Sequence, residues 1–396
     1  MIAKRFELYV DLAALAPDGT NGGAAPAALE LLRRLSEKGI SLHLLVKPGA
    51  EPAVATLAAQ GAAVHLLGTR GEVREPKRAL RTHRRVSPPL LQRFLGDPSS
   101  LLRRGASALL SPLGSAVFHE PGLPHVATVH DFQELDYPGF FPTGELARRR
   151  AFRQDLRRAD RVVVSSAFTR EMAVTQVRIS EARTVVLPPL VPRERAALGE
   201  AEVLSRLSRL GLARGGYAVY PANFWPHKNH ARLLSALRDS PLSRDPGFVL
   251  VLCGALEDGR RALEAEAARL GLGAAVRILG FQSDLDVTAL LQGARLLLFP
   301  SLYEGFGLPV LEAFRLGTPV ACSQIPALEE LAGSSAHLFE PSEERSIQTA
   351  FEKVWLDEDY RRELAQRGRR RAASFDDAET VARWIELLDK IVPERP

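Results

Sequence analysis

The sequence predicts two α/β domains in tandem, each built on a parallel sheet. Short β-branched or Leu-rich runs alternate with helical patterns from end to end, the signature of strands joined by helical crossovers. A segment with three prolines, "LPPLVPRER" (187–195), interrupts this alternation near the midpoint, and the same rhythm restarts after it, as expected of an interdomain linker. At 396 residues the chain is also longer than one hydrophobic core ordinarily organises.

In the first half, strands are expected at 6–12, 41–46, 62–67, 107–112, 125–131, 161–166 and 183–188, with helices at 25–39 and 144–160 among those between them. After a charged periodic segment (196–210), strands are expected at 216–222, 247–254, 275–280, 294–300 and 318–323. Helices near 229–238, 258–270, 284–293 and 308–316 separate them, and the end of the chain reads as helical. Two such Rossmann-like domains would face one another across a cleft, the default place for a ligand.

Composition is that of a globular protein: 46% hydrophobic and 25% charged residues. Cys253 and Cys322 both sit in apolar runs, "FVLVLCG" and "GTPVACS", and read as buried thiols of a reducing compartment rather than a disulfide or zinc framework. No stretch reaches the roughly 18 uninterrupted apolar residues of a membrane span. The start, "MIAKRFELYVDL", goes into a strand without the apolar core of a signal peptide. A cytoplasmic protein is expected.

Charge is uneven. Residues 1–215 carry 31 Lys and Arg against 21 Asp and Glu, a net +10, whereas residues 216–396 carry 21 against 26, a net −5. The excess lies in "RGEVREPKRALRTHRR" (70–85) and "RRRAFRQDLRRADR" (148–161). Solvated helix faces account for such runs; so does attraction to anionic lipid headgroups, a peripheral contact with the inner face of a membrane, or to a phosphate-bearing substrate. Nucleic acid is disfavoured because no aromatic residues interleave the basic runs.

The most informative stretch is "FPSLYEGFGLPVLEAF" (299–314). The apolar run before it delivers a glycine loop from a strand's carboxyl end. Pro309 suits a helix's first turn, where its missing N–H costs nothing. Gly305 and Gly307 bracket Phe306 and let backbone amides of Gly305 to Leu308 approach a ligand closely. Amides and helix dipole together make an anion site for a diphosphate or polar sugar. Glu304 in the loop and Glu312 in the helix are acceptors suited to paired sugar hydroxyls; the plainer alternative is a carboxylate near the helix dipole and a surface acid.

This stretch resembles the Glu-x7-Glu motif of retaining glycosyltransferases of family 4, which have the two-domain GT-B fold. The resemblance extends over nearly the whole chain: "NGGAAPAALELLRRL", "VATVHDFQELDYPGFFP", "ADRVVVSSAFTREMA", "YPANFWPHKNHARLLSAL", "ILGFQSDLDVTALLQGARLLLFP" and "FDDAETVARWIELL" are similar to successive family segments. It implies an acceptor-binding domain over 1–192, a nucleotide-sugar-binding domain over 193–374, and a terminal helix over 375–396 that crosses back to the first domain. It also implies roles. Glu304 would bind donor-sugar hydroxyls, Glu312 the nucleotide ribose, and Gly305, Phe306, Gly307 and Leu308 the sugar and diphosphate. Lys228 would neutralise the departing diphosphate, and Phe281, in "LGFQ", would border the base. His130 would touch the transferred sugar, although a lone histidine at a strand end is otherwise structural or capping. Asp131 would orient or cap its loop. Gly22 and Gly23 would offer amides to phosphate or acceptor, unless they form only a tight turn.

One departure stands out. Where many members carry an arginine about six residues before that lysine, this chain has Ala222, followed by Asn223. Asn223, His227 or an arginine from elsewhere would have to complete the phosphate clamp. "DLD" (Asp284, Asp286) has the spacing of a metal-binding pair, but it opens a helix where acids and serines serve as caps, so no metal is expected. A GxGxxG fingerprint is absent, against a nicotinamide dehydrogenase.

The expected activity is therefore hexose transfer from a nucleotide-diphosphate sugar, of GDP-mannose or UDP-glucose type, to a glycan, lipid-linked or small-molecule hydroxyl. No further cofactor is expected. Rivals are a nucleotide-sugar epimerase or hydrolase of the same fold, which would need an acid/base set not found here, and a non-catalytic nucleotide-sugar-binding protein.

Overall fold

The computed structural model describes residues 6–16, 22–67, 101, 105–114 and 118–392; the basic run at 70–85 lies outside the described residues. The chain forms two compact units, one of residues 1–190 together with 377–396, the other of residues 191–376.

In the first unit the order is β1 (Glu7–Asp11), α1 (Ala24–Glu37), β2 (Ser41–Val46), α2 (Ala55–Ala59), β3 (Ala63–Leu66), β4 (Ala108–Ser111), β5 (His125–Val129), α3 (Gln133–Asp136), α4 (Thr143–Leu156), β6 (Arg161–Val164), α5 (Ala167–Thr175) and β7 (Thr184–Val186). Its seven strands lie in the order β3-β2-β1-β4-β5-β6-β7, with neighbours parallel. Strands covered on both faces read as continuous apolar runs, and Leu8, Val10, Leu110, Val126 and Val163 are buried in one core. On α1, Ala28, Leu31, Leu32 and Leu35 recur at helical spacing and turn one stripe into that core.

The second unit continues with α6 (Glu200–Arg209), β8 (Ala218–Pro221), α7 (His230–Arg238), β9 (Leu250–Cys253), α8 (Glu257–Arg269), β10 (Val276–Ile278), α9 (Asp284–Gly293), β11 (Leu296–Phe299), α10 (Leu308–Leu316), β12 (Val320–Ser323), α11 (Pro326–Ala332), β13 (His337–Phe339), α12 (Glu344–Leu356) and α13 (Glu358–Ala372). Its sheet runs β10-β9-β8-β11-β12-β13, again parallel. The last helix, α14 (Asp377–Ile391), belongs to the first unit; its Val381, Trp384, Leu387 and Leu388 join the core that α1 lines.

Each of the twelve expected strands has a counterpart. Two elements escaped the sequence reading, β13 and α11. A three-residue edge strand is too short to display a period, and α11 is a seven-residue helix opened by Pro326. The helical end is also not continuous. It breaks at Asp357, whose carboxylate accepts a hydrogen bond from Tyr360 N and so starts α13.

Strand order reverses direction between β1 and β4 in one sheet and between β8 and β11 in the other. At such a switch point the loops leaving adjacent strand ends diverge and open a crevice. No helix among the described residues is long and apolar enough to cross a membrane.

Candidate functional site

The second unit's switch point brings together the loops after β8 and β11. Buried β11 carries the chain to Pro300 and Ser301. Ser301 Oγ lies 3.0 Å from the Tyr220 hydroxyl, which donates to Lys228 O at 2.9 Å. Leu302 N donates to His227 O at 2.7 Å. Asn229 completes the seam: its Nδ2 donates to Pro300 O at 3.1 Å and Pro341 O at 2.8 Å, from a backbone with φ 61°. The two loops are thus tied to each other before any ligand arrives.

On this frame Lys228 Nζ meets Glu304 Oε1 at 2.5 Å, and both side chains are largely buried. Lys228 also lies 5.6 Å from the Phe299 ring centroid. Gly307, with φ 100°, caps α10, and a Cβ there would collide with Leu328. The position therefore requires glycine twice over, for conformation and for space. Pro309 falls in the first turn of α10, as its sequence position predicts.

Glu312 is not the surface acid of the plainer alternative. It is 4% exposed, and burial pushes its carboxyl pKa up, opposed by the positive charge of Arg195. Arg195 Nη1 lies 3.4 Å from Glu312 Oε2, while its Nε and Nη2 donate to Asp284 Oδ1 at 3.0 and 2.7 Å. Asp284 is therefore the partner of an arginine. Ser283 caps α9 by accepting from Asp286 N, and Asp286 pairs with Arg206 at 2.8 Å. No group of acids, histidines and cysteines able to hold a metal occurs among the described residues.

The other expected donor residues are spread around this centre. Asn223 Oδ1 accepts from Ala255 N at 2.8 Å, so its carboxamide ties the β8 loop to the β9 loop. His227 stacks on Trp225 with centroids 5.6 Å apart. Phe281, beside the start of α9, is 70% exposed, an unusual price for a large apolar ring unless something covers it. At the altered position, Ala222 O abuts Gly254 so closely that any Cβ on Gly254 would clash.

In the first unit, His130 follows β5. Its ring Nε2 donates to Pro112 O at 2.8 Å, which leaves Nδ1 as the acceptor. Burial lowers its pKa, and the neutral form is held. His130 lines a cavity of ≈ 40 Å³ with Ala27 and Ala28 of α1, Thr128, Ser165 and Trp384. Asp131 Oδ1 accepts from Gln133 N at 3.2 Å and pairs with Arg149 at 3.2 Å, a loop-orienting role. Gly22 takes a left-handed φ of 56°, and Gly23 is the N-cap of α1.

Sequence reasoning did not find Arg195, Tyr220, Asn229 or Ser301. Asn229 was legible as part of "PHKNH", between a short turn and a helix start, but Arg195 carried no signal inside a linker.

Residues 213–371 match the family model described as glycosyl transferases group 1, and residues 21–195 that described as Glycosyltransferase Family 4. Over 270 residues the chain is 29% identical to O-antigen chain mannosyltransferase B of Escherichia coli, covering 65% of this chain and 70% of that protein. It is 30% identical over 242 residues to the serotype-specific mannosyltransferase WbdA of Escherichia coli, covering 60% of this chain but 30% of that longer protein. The solved structure of Anabaena HepE in complex with UDP-glucose aligns with a TM-score of 0.77 at 17% identity, covering 98% of this chain and 100% of that one.

Proposed function

Because the chain belongs to the group 1 glycosyltransferases and has the GT-B fold, we propose that it moves a hexose from a nucleotide-diphosphate sugar to an acceptor hydroxyl, with retention of configuration. Mannose from GDP-mannose is the first choice of donor, supported by mannosyltransferase relatives; UDP-glucose is the second. A polysaccharide or lipid-linked glycan is the proposed acceptor.

The observation that carries this reading is the Lys228–Glu304 pair at a switch point, beside the glycine-capped start of α10. In glycosyl transfer the bond from the anomeric carbon to the diphosphate oxygen breaks while a bond to the acceptor oxygen forms. Negative charge grows on the leaving diphosphate, and the acceptor's proton passes to it. Lys228 and the amides opening α10 are the groups that would stabilise that charge. Glu304, released from Lys228, would accept hydrogen bonds from sugar hydroxyls, and Glu312 from the ribose. His130, kept neutral, is assigned a contact to the transferred sugar. Phe281 would flank the base. Gly22 and Gly23 would offer amides to the acceptor or a phosphate. No metal or other cofactor is assigned. A cytoplasmic location with peripheral membrane contact is proposed from the arginines of the first unit, Arg148, Arg150, Arg157 and Arg158, which are exposed.

Thermal stabilisation across a panel of UDP-, GDP- and dTDP-sugars identifies the donor, since a ligand that binds only the folded state raises stability with occupancy. Turnover of the stabilising donor then tests the chemistry. Wild-type turnover by Glu304→Ala or Lys228→Ala would remove the assignment.

A further inference from the structure

Arg195 has no place in the function proposed so far. It stands in a three-residue turn (Arg193–Arg195) at the start of the second unit, and its side chain is 16% exposed. A structural explanation would be that it pins this turn to α9. That task is already done by other groups: Thr288 Oγ1 donates to Glu194 O at 3.3 Å, Gln292 Nε2 to Leu198 O at 2.9 Å, and Leu198 N to Gln292 Oε1 at 2.9 Å. Three hydrogen bonds hold the segment without any contribution from the guanidinium.

What Arg195 does alone is bridge two carboxylates. It binds Asp284 through Oδ1 and Glu312 through Oε2. Glu312 Oε1 accepts no hydrogen bond among the described residues. A buried carboxylate without a partner charge is costly and takes up a proton instead. A protonated acid would turn one oxygen into a donor, and so lose half of what it can offer to a diol. The charged groups acting on Glu312 are Arg195 from the turn and Arg315 from its own helix, which favour ionisation, and Asp284 from α9, which opposes it.

We propose that Arg195 is a positioning residue of the nucleotide site, holding Glu312 by Oε2 so that Oε1 is kept for the ribose hydroxyls. This rests on the assignment of Glu312 to the ribose made above. It gives the linker a second task, because the segment that joins the two units also sets a donor-site acid.

The experiment uses the full chain, with GDP and UDP and their 2′-deoxy forms as probes, and calorimetry at pH 7.5 and 5.5. Hydrogen bonds to charged groups are worth enough that the wild type should prefer the ribonucleotide by about tenfold. In Arg195→Met the preference should collapse towards unity, with affinity for the deoxy form little changed and binding at pH 5.5 weakened more than in the wild type. Arg195→Lys keeps the charge but loses the fork, and should restore the acid limb before the ribose preference. Melting temperatures of both variants report whether the fold persists, and the lysine variant carries the test if the methionine variant does not fold. Equal weakening of ribo and deoxy forms, or an intact preference in both variants, overturns the proposal. If the wild type binds neither GDP nor UDP, the donor-site reading itself fails. If it binds both forms of a nucleotide equally, only the ribose assignment fails, and this inference with it.

Discussion

The two sheets share a reversal in strand order, yet they furnish their switch points differently. In the second unit the crevice is edged by charge already in pairs: Lys228 with Glu304, and Arg195 with Asp284 and Glu312. In the first unit the residue after β5 is a neutral histidine, set against a cavity lined by alanines, prolines and Trp384. The difference is one of electrostatic readiness. Paired ions can exchange partners with a charged ligand and spend little on reorganisation, whereas a neutral, largely apolar pocket selects by shape and a few polar contacts. A diphosphate belongs with the first kind of surface, an uncharged ring with the second.

Removing the pair should break this contrast most severely. Lys228→Ala or Glu304→Ala is expected to lower kcat/KM by 10²–10³-fold, on the order seen for loss of one charge-stabilising group. The double variant should lose much less than the product of the two, because each single change already destroys the pair. A double-mutant cycle on donor turnover measures this. Glu312→Ala should cost about 10–100-fold, mainly in KM for the donor. His130→Ala sharpens the comparison from the other side: about a tenfold loss in kcat is expected, with the Kd for the free nucleotide unchanged.

Acid should also discriminate between groups held neutral and groups held in pairs. Burial lowers His125 to about 4 and His230 to about 3, and lowers His130 as well. A depressed folded pKa favours folding above the unfolded value near 6.5 and forfeits that benefit as pH falls through the folded value, at about 1.4 kcal/mol per unit. Melting temperature should therefore decline from about pH 6.5 downwards. His230→Phe, which keeps a ring against Tyr220 and Phe224, should flatten part of that decline. The smallest effect expected is that of Ser283→Ala, about 1 kcal/mol of stability through the lost cap of α9, with turnover unchanged.

The architecture was legible because alternation, glycine turns and a proline linker are local signals. So was the core of the candidate site. Glu304, Gly307 and Pro309 lie in one stretch, where a buried strand, a loop and a helix start follow directly in sequence. What was illegible depends on partners far apart. Arg195 and Glu312 are separated by 117 positions, and neither the linker composition nor the helix pattern marks them as neighbours. The same holds for Asn223, whose sequence position suggested a phosphate ligand but whose carboxamide is committed to Ala255 N. Asp131 likewise serves Arg149 and its own loop. Ala222 shows the reverse case. An absent arginine is plain in sequence, whereas the tight approach of its carbonyl to Gly254 needs three dimensions.

Asn229 sets a limit on how this protein can change. Its backbone demands a residue tolerant of a left-handed turn, and its side chain must offer an amide short enough to reach two carbonyls. Glycine meets the first demand alone and glutamine at best the second. Mutational drift at this position is therefore blocked along both neighbouring routes. New donor preferences would have to arise at exposed neighbours such as Phe281, with the keystone between the loops inherited intact.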